Sequence, residues 1–314
     1  MEPLIILSGP TAVGKTELSL SLAEAIGGEI ISADSMQVYR RMDVGTAKIL
    51  PDERRGIPHH LIDILEPDEP WDVTQFTERA EEAIRQIRAN GHLPIVVGGT
   101  GFYIQALVKG LQFDEEPRDG YREILEATDS EKLFEMLQNI DPASAKTIPI
   151  GNRKRMIRAI EYEHYHGEPI SALNKRQREQ PYEYNSAYFV LTMERAKLYE
   201  RIEMRVDQMI REGLPEEVHR LLEDGVSETC VSMQGLGYRQ MVPYLRGECS
   251  LSEAADRIKL ETRHFAKRQM TWFRREKDVI FLEKKASAEA ETGMTEEEIL
   301  QQMLAVLREK GILS

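Results

Sequence analysis

A segment near the start of the chain has the residue types and spacing of a phosphate-binding loop. Residues 9–16 read GPTAVGKT, which matches G-x-x-x-x-G-K-T, and they follow the apolar run PLIILS. In such a loop the backbone N–H groups and the N-terminus of the next helix bind an anion, and Lys15 adds a positive charge. Thr16 is placed to ligate Mg²⁺ through its hydroxyl. Because a strand pattern precedes the loop and a helix pattern follows it, we interpret the segment as a phosphate site rather than a chance glycine-rich turn.

Two further polar positions follow predicted strands. Asp34 and Ser35 end the run GGEIISADS, and Thr100 follows PIVVGG. Ligands of open α/β sheets bind outside the carboxyl ends of the strands, so these residues and the phosphate loop are expected to meet in one crevice. Asp34 has an alternative interpretation as a helix cap or turn residue, and Thr100 taken alone is more typical of a turn.

The predicted strands lack a feature of ATP-hydrolysing proteins. Those proteins usually place an aspartate at the end of a buried strand, where it organises Mg²⁺ and water. The run PIVVGGTG, residues 94–101, contains no aspartate. The pattern therefore predicts a diphosphate held with Mg²⁺ rather than ATP, although a kinase could use Asp34 for the metal.

The paired histidines are predicted to be structural. His59 and His60 are adjacent, so their side chains diverge and a shared metal is not expected. The run EHYH at residues 163–166 has no nearby cysteine and no H-E-x-x-H spacing. We expect surface or structural roles for both pairs.

The composition describes an acidic protein with segregated positive charge. The formal net charge of the 314 residues is −13, which argues weakly against nucleic-acid binding. Basic residues nevertheless cluster at 152–158, 174–178 and 263–277. The two cysteines imply no disulfide framework. Without a basic leader or an apolar run of membrane-spanning length, we expect a cytoplasmic protein with no membrane contact.

The order of apolar runs and helical patterns predicts an α/β fold. Strand patterns at PLIILSG, GGEIISADS and LPIVVGG alternate with helical patterns, which favours a parallel sheet covered on both faces. Helical patterns and basic clusters then replace strands until SAYFVLTM at 186–193. We predict a P-loop-type parallel sheet core flanked by helices in residues 1–113 and 184–314, with a helical insertion domain at 114–183 and a helical C-terminal region.

Seven segments together resemble the motifs of one family. They are GPTAVGKT, ADSMQVYRRMDVGTAK, HHLID, VVGGTGFY, RAIE, GYRQM and AKRQMTWFRR, in this order between residues 9 and 275. They resemble the successive motifs of bacterial tRNA dimethylallyltransferases (isopentenyltransferases), and the second is highly specific. The resemblance implies transfer of a dimethylallyl group from dimethylallyl diphosphate to the exocyclic N6 amine of the adenosine just 3′ of the anticodon in tRNA. The loop would then hold the diphosphate of the prenyl donor.

The resemblance also implies roles for individual residues. Asp34 would take a proton from the adenine amine, and Thr100 and Arg205 would stabilise charge on the departing diphosphate. Thr16 would ligate Mg²⁺. The diphosphate would be bound by the whole loop, Gly9, Pro10, Thr11, Ala12, Val13, Gly14, Lys15 and Thr16. The anticodon stem-loop would contact Asp34, Ser35, Met36, Gln37, Thr100, Arg122, Lys154, Arg155, Met156, Ile157, Arg158, Gln234, Gly235, Gly237, Tyr238, Arg239, Lys267 and Arg268.

Aromatic residues lie among the basic residues near the C-terminus. Trp272 and Phe273 suit stacking on splayed RNA bases. Core packing of an amphipathic helix explains each of them individually, and this is the interpretation we prefer for the single residues.

Two other functions stay open on the sequence. A P-loop small-molecule or nucleotide kinase would explain the loop, the Mg²⁺ site and a helical lid, but it leaves the basic C-terminal stretch and the missing second aspartate unexplained. A non-catalytic RNA-binding adaptor is opposed by the intact Lys15, Thr16 and Asp34. The sequence indicates no obligate protein partner.

Overall fold

The apolar runs predicted as strands pair in one parallel sheet. The computed structural model describes residues 1–113, 117, 119–285 and 292–313. Its strands are β1 (Pro3–Ser8), β2 (Gly28–Ser32), β3 (His59–His60), β4 (Leu93–Gly98), β5 (Asn185–Thr192) and β6 (Val279–Glu283). Their order across the sheet is β3-β2-β4-β1-β5-β6. The predicted α/β class with a parallel sheet is confirmed.

The centre of the sheet explains the unbroken apolar runs. In β1 the side chains from Leu4 to Leu7 are fully buried, as expected for a parallel strand covered on both faces. Ile5 lies opposite Ile95 of β4 on one side and Ala187 of β5 on the other. Because every pairing is parallel, the carboxyl ends of β1, β2 and β4 meet at one edge.

Two short strands were not predicted. The expectation of a wholly helical C-terminal region is wrong at Val279–Glu283, where β6 pairs with β5 and places Ile280 opposite Phe189. The five-residue run directly follows a long helical pattern, and pairing with a buried strand decides its conformation. The two residues of β3 pair with Ile30 and Ile31 of β2. A run of two residues is too short to show the alternation of apolar and polar residues that predicts a strand.

The described residues also contain α-helices, in addition to two short 3₁₀-helices at Pro51–Arg54 and Ser232–Gln234. The α-helices are α1 (Lys15–Ile26), α2 (Val73–Ala89), α3 (Gly101–Val108), α4 (Tyr121–Ala127), α5 (Ser130–Ile140), α6 (Pro142–Ala145), α7 (Arg153–His166), α8 (Ile170–Glu179), α9 (Arg195–Arg211), α10 (Leu214–Glu223), α11 (Tyr238–Leu245), α12 (Leu251–Phe273) and α13 (Glu296–Glu309). Asp72 caps α2 by accepting a hydrogen bond from the Gln75 N–H at 3.0 Å. None of the helices in the described ranges combines the length and apolar character that a membrane crossing requires.

The chain divides into two units. The first comprises residues 1–108 and 183–314, and the second comprises residues 109–182. The second unit contains α4 to α8 and has its own apolar core, to which Leu125, Leu133 and Leu137 contribute. The start of the predicted insertion at residue 114 lies outside the described residues.

The adjacent histidines make separate contacts. His60 Nε2 lies 2.7 Å from Glu29 Oε2, while His59 Nδ1 lies 2.8 Å from the carbonyl oxygen of Ile57. The other oxygen of Glu29 meets His92 Nδ1 at 2.6 Å. The prediction that the side chains of His59 and His60 diverge is confirmed, and the buried Glu29 ties β2 to the histidines beside it.

Candidate active site

The phosphate loop connects β1 to α1 through glycines that tolerate no side chain. Gly9 has φ 145°, and a Cβ there would lie 2.4 Å from the carbonyl oxygen of Leu191. Gly14 has φ 102°, in the left-handed region that favours glycine. Lys15 Nζ donates to the carbonyl oxygens of Gly9 and Pro10 at 3.0 and 2.9 Å. The lysine side chain therefore folds back onto the backbone of its own loop.

Charged neighbours act on the lysine of this loop. Burial lowers the pKa of Lys15 to about 8, the positive charge of Arg205 acts in the same direction, and Asp34 opposes both. Burial also lowers the pKa of Arg205, with the nearby Arg201 adding to the effect and Asp34 opposing it. Both cations therefore lie in a partly desolvated site that gains from an added anion.

Asp34 follows β2 in a tight turn. Its Oδ1 accepts hydrogen bonds from the N–H groups of Met36 at 2.9 Å and Gln37 at 3.4 Å. The turn interpretation of Asp34 is thus correct, and it is compatible with a chemical role because neither bond uses Oδ2. The turn fixes the direction of the carboxylate at the edge of the sheet.

The loop after β4 lies against the loop after β2. The Thr100 N–H donates to the carbonyl oxygen of Ala33 at 3.3 Å. A Cβ on Gly98 would lie 2.4 Å from the same carbonyl oxygen, so only glycine allows this approach. On the other side a Cβ on Gly101 would lie 2.3 Å from the Trp272 ring. Thr100 is therefore held beside the Asp34 loop.

Arg205 reaches the phosphate loop from α9. Its Nη1 donates to Thr11 Oγ1 at 3.4 Å. A Cβ on Gly14 would lie 3.1 Å from Lys284 Nζ and 3.7 Å from Arg201 Nη2, so two further cations surround the loop. Neither was predicted from the sequence. Arg201 lies four residues before Arg205 on one helix, a spacing that puts both on one face and could have indicated it.

These residues converge on a cavity of about 320 Å³ within the first unit. The predicted residues that line it are Thr11, Asp34, Ser35, Met36, Thr100, Arg205, Gln234, Gly235, Gly237, Arg239 and Arg268. Its unpredicted lining includes an apolar set, Ile202, Val206, Met209, Ile258 and Phe265, and the polar Gln269. The predicted crevice at the carboxyl edge of the sheet thus holds Asp34, Ser35 and Thr100, and the phosphate loop joins it through Thr11, whereas Lys15 and Thr16, which were also expected there, are not among its lining residues.

Two predicted residues near the cavity have other contacts. Gln37 Nε2 donates to the carbonyl oxygen of Thr46 at 3.3 Å, so its amide braces that loop. Tyr238 is fully buried and donates to Glu217 Oε1 at 2.6 Å. The Tyr238 ring packs against Gly45, so its side chain is not accessible for the predicted tRNA contact in this structure.

The basic run of α7 divides between core and surface of the second unit. Met156 and Ile157 are 0% and 4% exposed and belong to the apolar core, so their side chains are not accessible for the predicted tRNA contact in this structure. Lys154 and Arg155 are exposed. Arg122 is paired to the buried Glu161 at 2.7 Å.

The basic stretch of α12 divides in the same way. Lys267 and Arg268 are exposed, whereas Phe273 is fully buried. Trp272 packs edge-on against Phe102, with ring centroids 6.1 Å apart. The preferred core interpretation of these two aromatics is confirmed for Phe273, and Trp272 packs on the loop that carries Thr100.

Comparisons with known proteins identify relatives along the whole chain. The family model described as IPP transferase matches residues 37–276, and that described as isopentenyl transferase matches residues 2–63. A tRNA dimethylallyltransferase of Lachnoclostridium phytofermentans is 52% identical and is covered over 100% of both chains. That of Pelotomaculum thermopropionicum is 48% identical over 92% of this chain and 93% of its own.

Solved structures of the same kind are similar to this fold. The full-length tRNA isopentenylpyrophosphate transferase of Bacillus halodurans has a TM-score of 0.74 at 40% identity, covering 99% of this chain and 98% of its own. A eukaryotic dimethylallyltransferase acting on tRNA has a TM-score of 0.82 at 27% identity, covering 98% and 79%. The chain therefore belongs to the IPP transferase family, the tRNA dimethylallyltransferases that its motifs resemble.

Proposed function

We propose that this chain transfers a dimethylallyl group from dimethylallyl diphosphate to N6 of the adenosine 3′-adjacent to the anticodon in tRNA and releases diphosphate. The observation that carries the proposal is the cavity in which Thr11 of the phosphate loop, Asp34, Thr100 and Arg205 meet an apolar wall. The polar and charged residues of this lining suit a diphosphate, and the apolar wall suits a five-carbon chain. Membership of the family supports the same assignment.

The loop of residues 9–16 binds the diphosphate. Backbone N–H groups at the start of α1 and the Lys15 ammonium are complementary to its charge. Arg205 and Arg201 lie on the α9 side of the same loop. As the bond from the allylic carbon to the diphosphate oxygen breaks, negative charge grows on the leaving group, and these fixed cations stabilise it.

The residues at the loop also fit Mg²⁺. Thr16 is the second residue of α1, and its side chain is exposed. Its hydroxyl oxygen is a hard ligand of the kind that Mg²⁺ binds together with substrate phosphates and water. Among the described residues no cluster of three His, Cys, Asp or Glu side chains could hold a metal, so the diphosphate would supply further ligands. Bound Mg²⁺ would offset charge on the diphosphate.

Asp34 acts as the base. A new bond forms between N6 and the allylic carbon, and the proton that N6 gives up passes to the Asp34 carboxylate, whose Oδ1 is held by the turn. General-base catalysis of this kind contributes about 10²–10⁴-fold. The adenosine must leave its stack to enter the cavity, as for other enzymes that act on a base. Thr100, fixed beside the Asp34 loop, stabilises charge on the departing diphosphate together with Arg205.

Exposed basic side chains hold the tRNA. Lys154 and Arg155 of the second unit, and Lys267 and Arg268 of the first, are exposed to phosphates, and the exposed Arg239 would have to exchange its ion pair with Glu261 for a phosphate. Such contacts position the substrate without doing chemistry. This assignment gives the helical insertion the role of an RNA-contacting unit.

The test supplies two donors to the same acceptor. The protein is incubated with unmodified tRNA and either dimethylallyl diphosphate or ATP, each with Mg²⁺, and the RNA mass and released phosphates are followed. We expect one prenyl unit per tRNA with the first donor and negligible hydrolysis of the second. Phosphoryl transfer from ATP, with unchanged RNA mass in the presence of the prenyl donor, would overturn the proposal in favour of a kinase.

A further inference from the structure

Gln269 joins two loops of the candidate active site. It lies on α12, and its surface is 6% exposed. Its Oε1 accepts a hydrogen bond from the backbone N–H of Thr11 at 3.0 Å, and its Nε2 donates to the carbonyl oxygen of Gly99 at 3.0 Å. Thr11 belongs to the phosphate loop, and Gly99 precedes Thr100. One buried amide therefore connects the diphosphate site to the loop that carries Thr100.

The two loops select an amide at this position. A backbone N–H only donates and a backbone carbonyl only accepts, so a bridging group must accept on the Thr11 side and donate on the Gly99 side. A glutamine amide does both, whereas a carboxylate presents two acceptors and a thioether presents no donor. A Cβ on Gly99 would lie 2.2 Å from Gln269 Nε2, so residue 99 must be glycine for the bridge to form.

The bridge lies at the wall of the cavity. Gln269 lines it together with Phe265 and Arg268 of the same helix. On the far side of the phosphate loop, Thr11 Oγ1 accepts the hydrogen bond from Arg205. Thr11 is thus held from two directions, through its backbone by α12 and through its hydroxyl by α9.

We propose that Gln269 is a positioning residue that sets the distance between the diphosphate loop and Thr100. This inference rests on the proposed function, because it assigns the leaving diphosphate to the phosphate loop and Thr100, and the reacting amine to the neighbouring Asp34. Misplacement of reacting groups by about 1 Å can cost about 10²-fold in rate. The amide acts on the reaction through its hydrogen bonds to the Thr11 N–H and the Gly99 carbonyl oxygen.

The first test compares Gln269→Met with Gln269→Glu, and uses Gln301→Met as the matched control. Gln301 is an exposed glutamine on α13, away from the cavity lining. At saturating tRNA we expect both Gln269 variants to lower kcat by at least about tenfold at pH 8 and to raise KM for dimethylallyl diphosphate. The KM for tRNA should stay within about twofold, and Gln301→Met should match the unmodified protein.

A pH profile separates bridging from packing. In the Gln269→Glu variant, the protonated carboxyl group has one O–H donor and one acceptor, so it can reproduce the amide bridge, whereas the ionised form cannot. The kcat of Gln269→Glu relative to the unmodified protein should therefore rise as pH falls from about 8 to about 6. The relative kcat of Gln269→Met, which lacks a titrating group, should stay flat over the same range.

Binding of inorganic pyrophosphate gives a readout that does not depend on prenyl transfer. Calorimetry should show affinity at least about fivefold weaker in both Gln269 variants, because the Thr11 N–H is displaced. Unchanged kcat, KM and pyrophosphate affinity in both variants would overturn the inference. So would losses that follow only the melting temperature and show no pH recovery in Gln269→Glu. An unmodified protein that binds pyrophosphate but transfers no prenyl group would instead refute the proposed function.

Discussion

Glu217 is a buried carboxylate that shapes the wall of the cavity from below. It lies on α10 and is 4% exposed. Its Oε2 accepts from the N–H groups of Asp43 at 2.9 Å and Val44 at 2.8 Å, and its Oε1 accepts from the Gly45 N–H at 3.0 Å. The Tyr238 hydroxyl also donates to Oε1. Gly45 lines the cavity, so this carboxylate fixes part of the site.

The cost of Glu217→Gln follows from these four bonds. The amide has one oxygen, so either orientation turns its NH₂ group towards at least one backbone N–H. That buried donor then loses its partner, at about 1–3 kcal/mol, and the remaining bonds lose the assistance of the negative charge. We expect a total of about 3 kcal/mol, which corresponds to a fall of roughly 6–12 °C in the melting temperature of a unit of this size.

Thermal unfolding of three variants checks this magnitude. Glu217→Gln should show the full fall, and Tyr238→Phe, which removes one bond, should lose about 1 kcal/mol. The neighbouring Glu216 is exposed, and Glu216→Gln should stay within about 0.5 kcal/mol of the unmodified protein. A melting temperature of Glu217→Gln equal to that of Glu216→Gln would show that the carboxylate does not hold the loop.

Three further predictions concern the chemistry and the RNA. Asp34→Asn keeps the turn but removes basicity, so kcat should fall by at least about 100-fold with tRNA affinity little changed; unchanged turnover would show that the base lies elsewhere. The pKa of Lys15 is about 8 in the free protein, so the lysine is charged below that pH and the affinity for pyrophosphate should weaken as the pH rises through it. Lys15→Met should lose this pH dependence, and an identical pH profile in both proteins would contradict the assignment of Lys15 to the diphosphate. The affinity for tRNA should fall with salt by roughly 0.7–0.9 log units per log of salt for each phosphate contact, and changing Lys154 and Arg155 together to alanine should flatten that slope by about one to two contacts; equal slopes would remove these residues from the tRNA footprint.

The sequence locates the part of the site that follows the strands. Residues 9–16, Asp34 and Thr100 each come directly after an apolar run, and parallel strands bring such positions to one edge. Arg205 is different, since nothing in its spacing points to the phosphate loop 194 residues earlier along the chain, and only the family resemblance suggested it. The same distance problem applies to Gln269, whose partner Thr11 is 258 residues away.

The order of residues in a motif does not show which of its side chains are buried. In α7 the basic run continues through Met156 and Ile157, but a helix turns these two residues into its core while Lys154 and Arg155 stay outside. Tyr238 has a hydroxyl that suits RNA, yet the residue is fully buried and the hydroxyl donates to Glu217 instead. A linear motif gives residue order, whereas burial depends on contacts between distant segments.

The proposed reaction is the prenylation of one adenosine of tRNA by the protein in the cavity at the carboxyl edge of the sheet. This is measured by nucleoside mass analysis of an anticodon stem-loop after incubation with the protein, dimethylallyl diphosphate and Mg²⁺. A matched stem-loop carries guanosine in place of the adenosine 3′ of the anticodon. We expect N6-dimethylallyl adenosine from the first RNA and no modified nucleoside from the second. Modification of both RNAs at another position, or of neither, would contradict the proposed function.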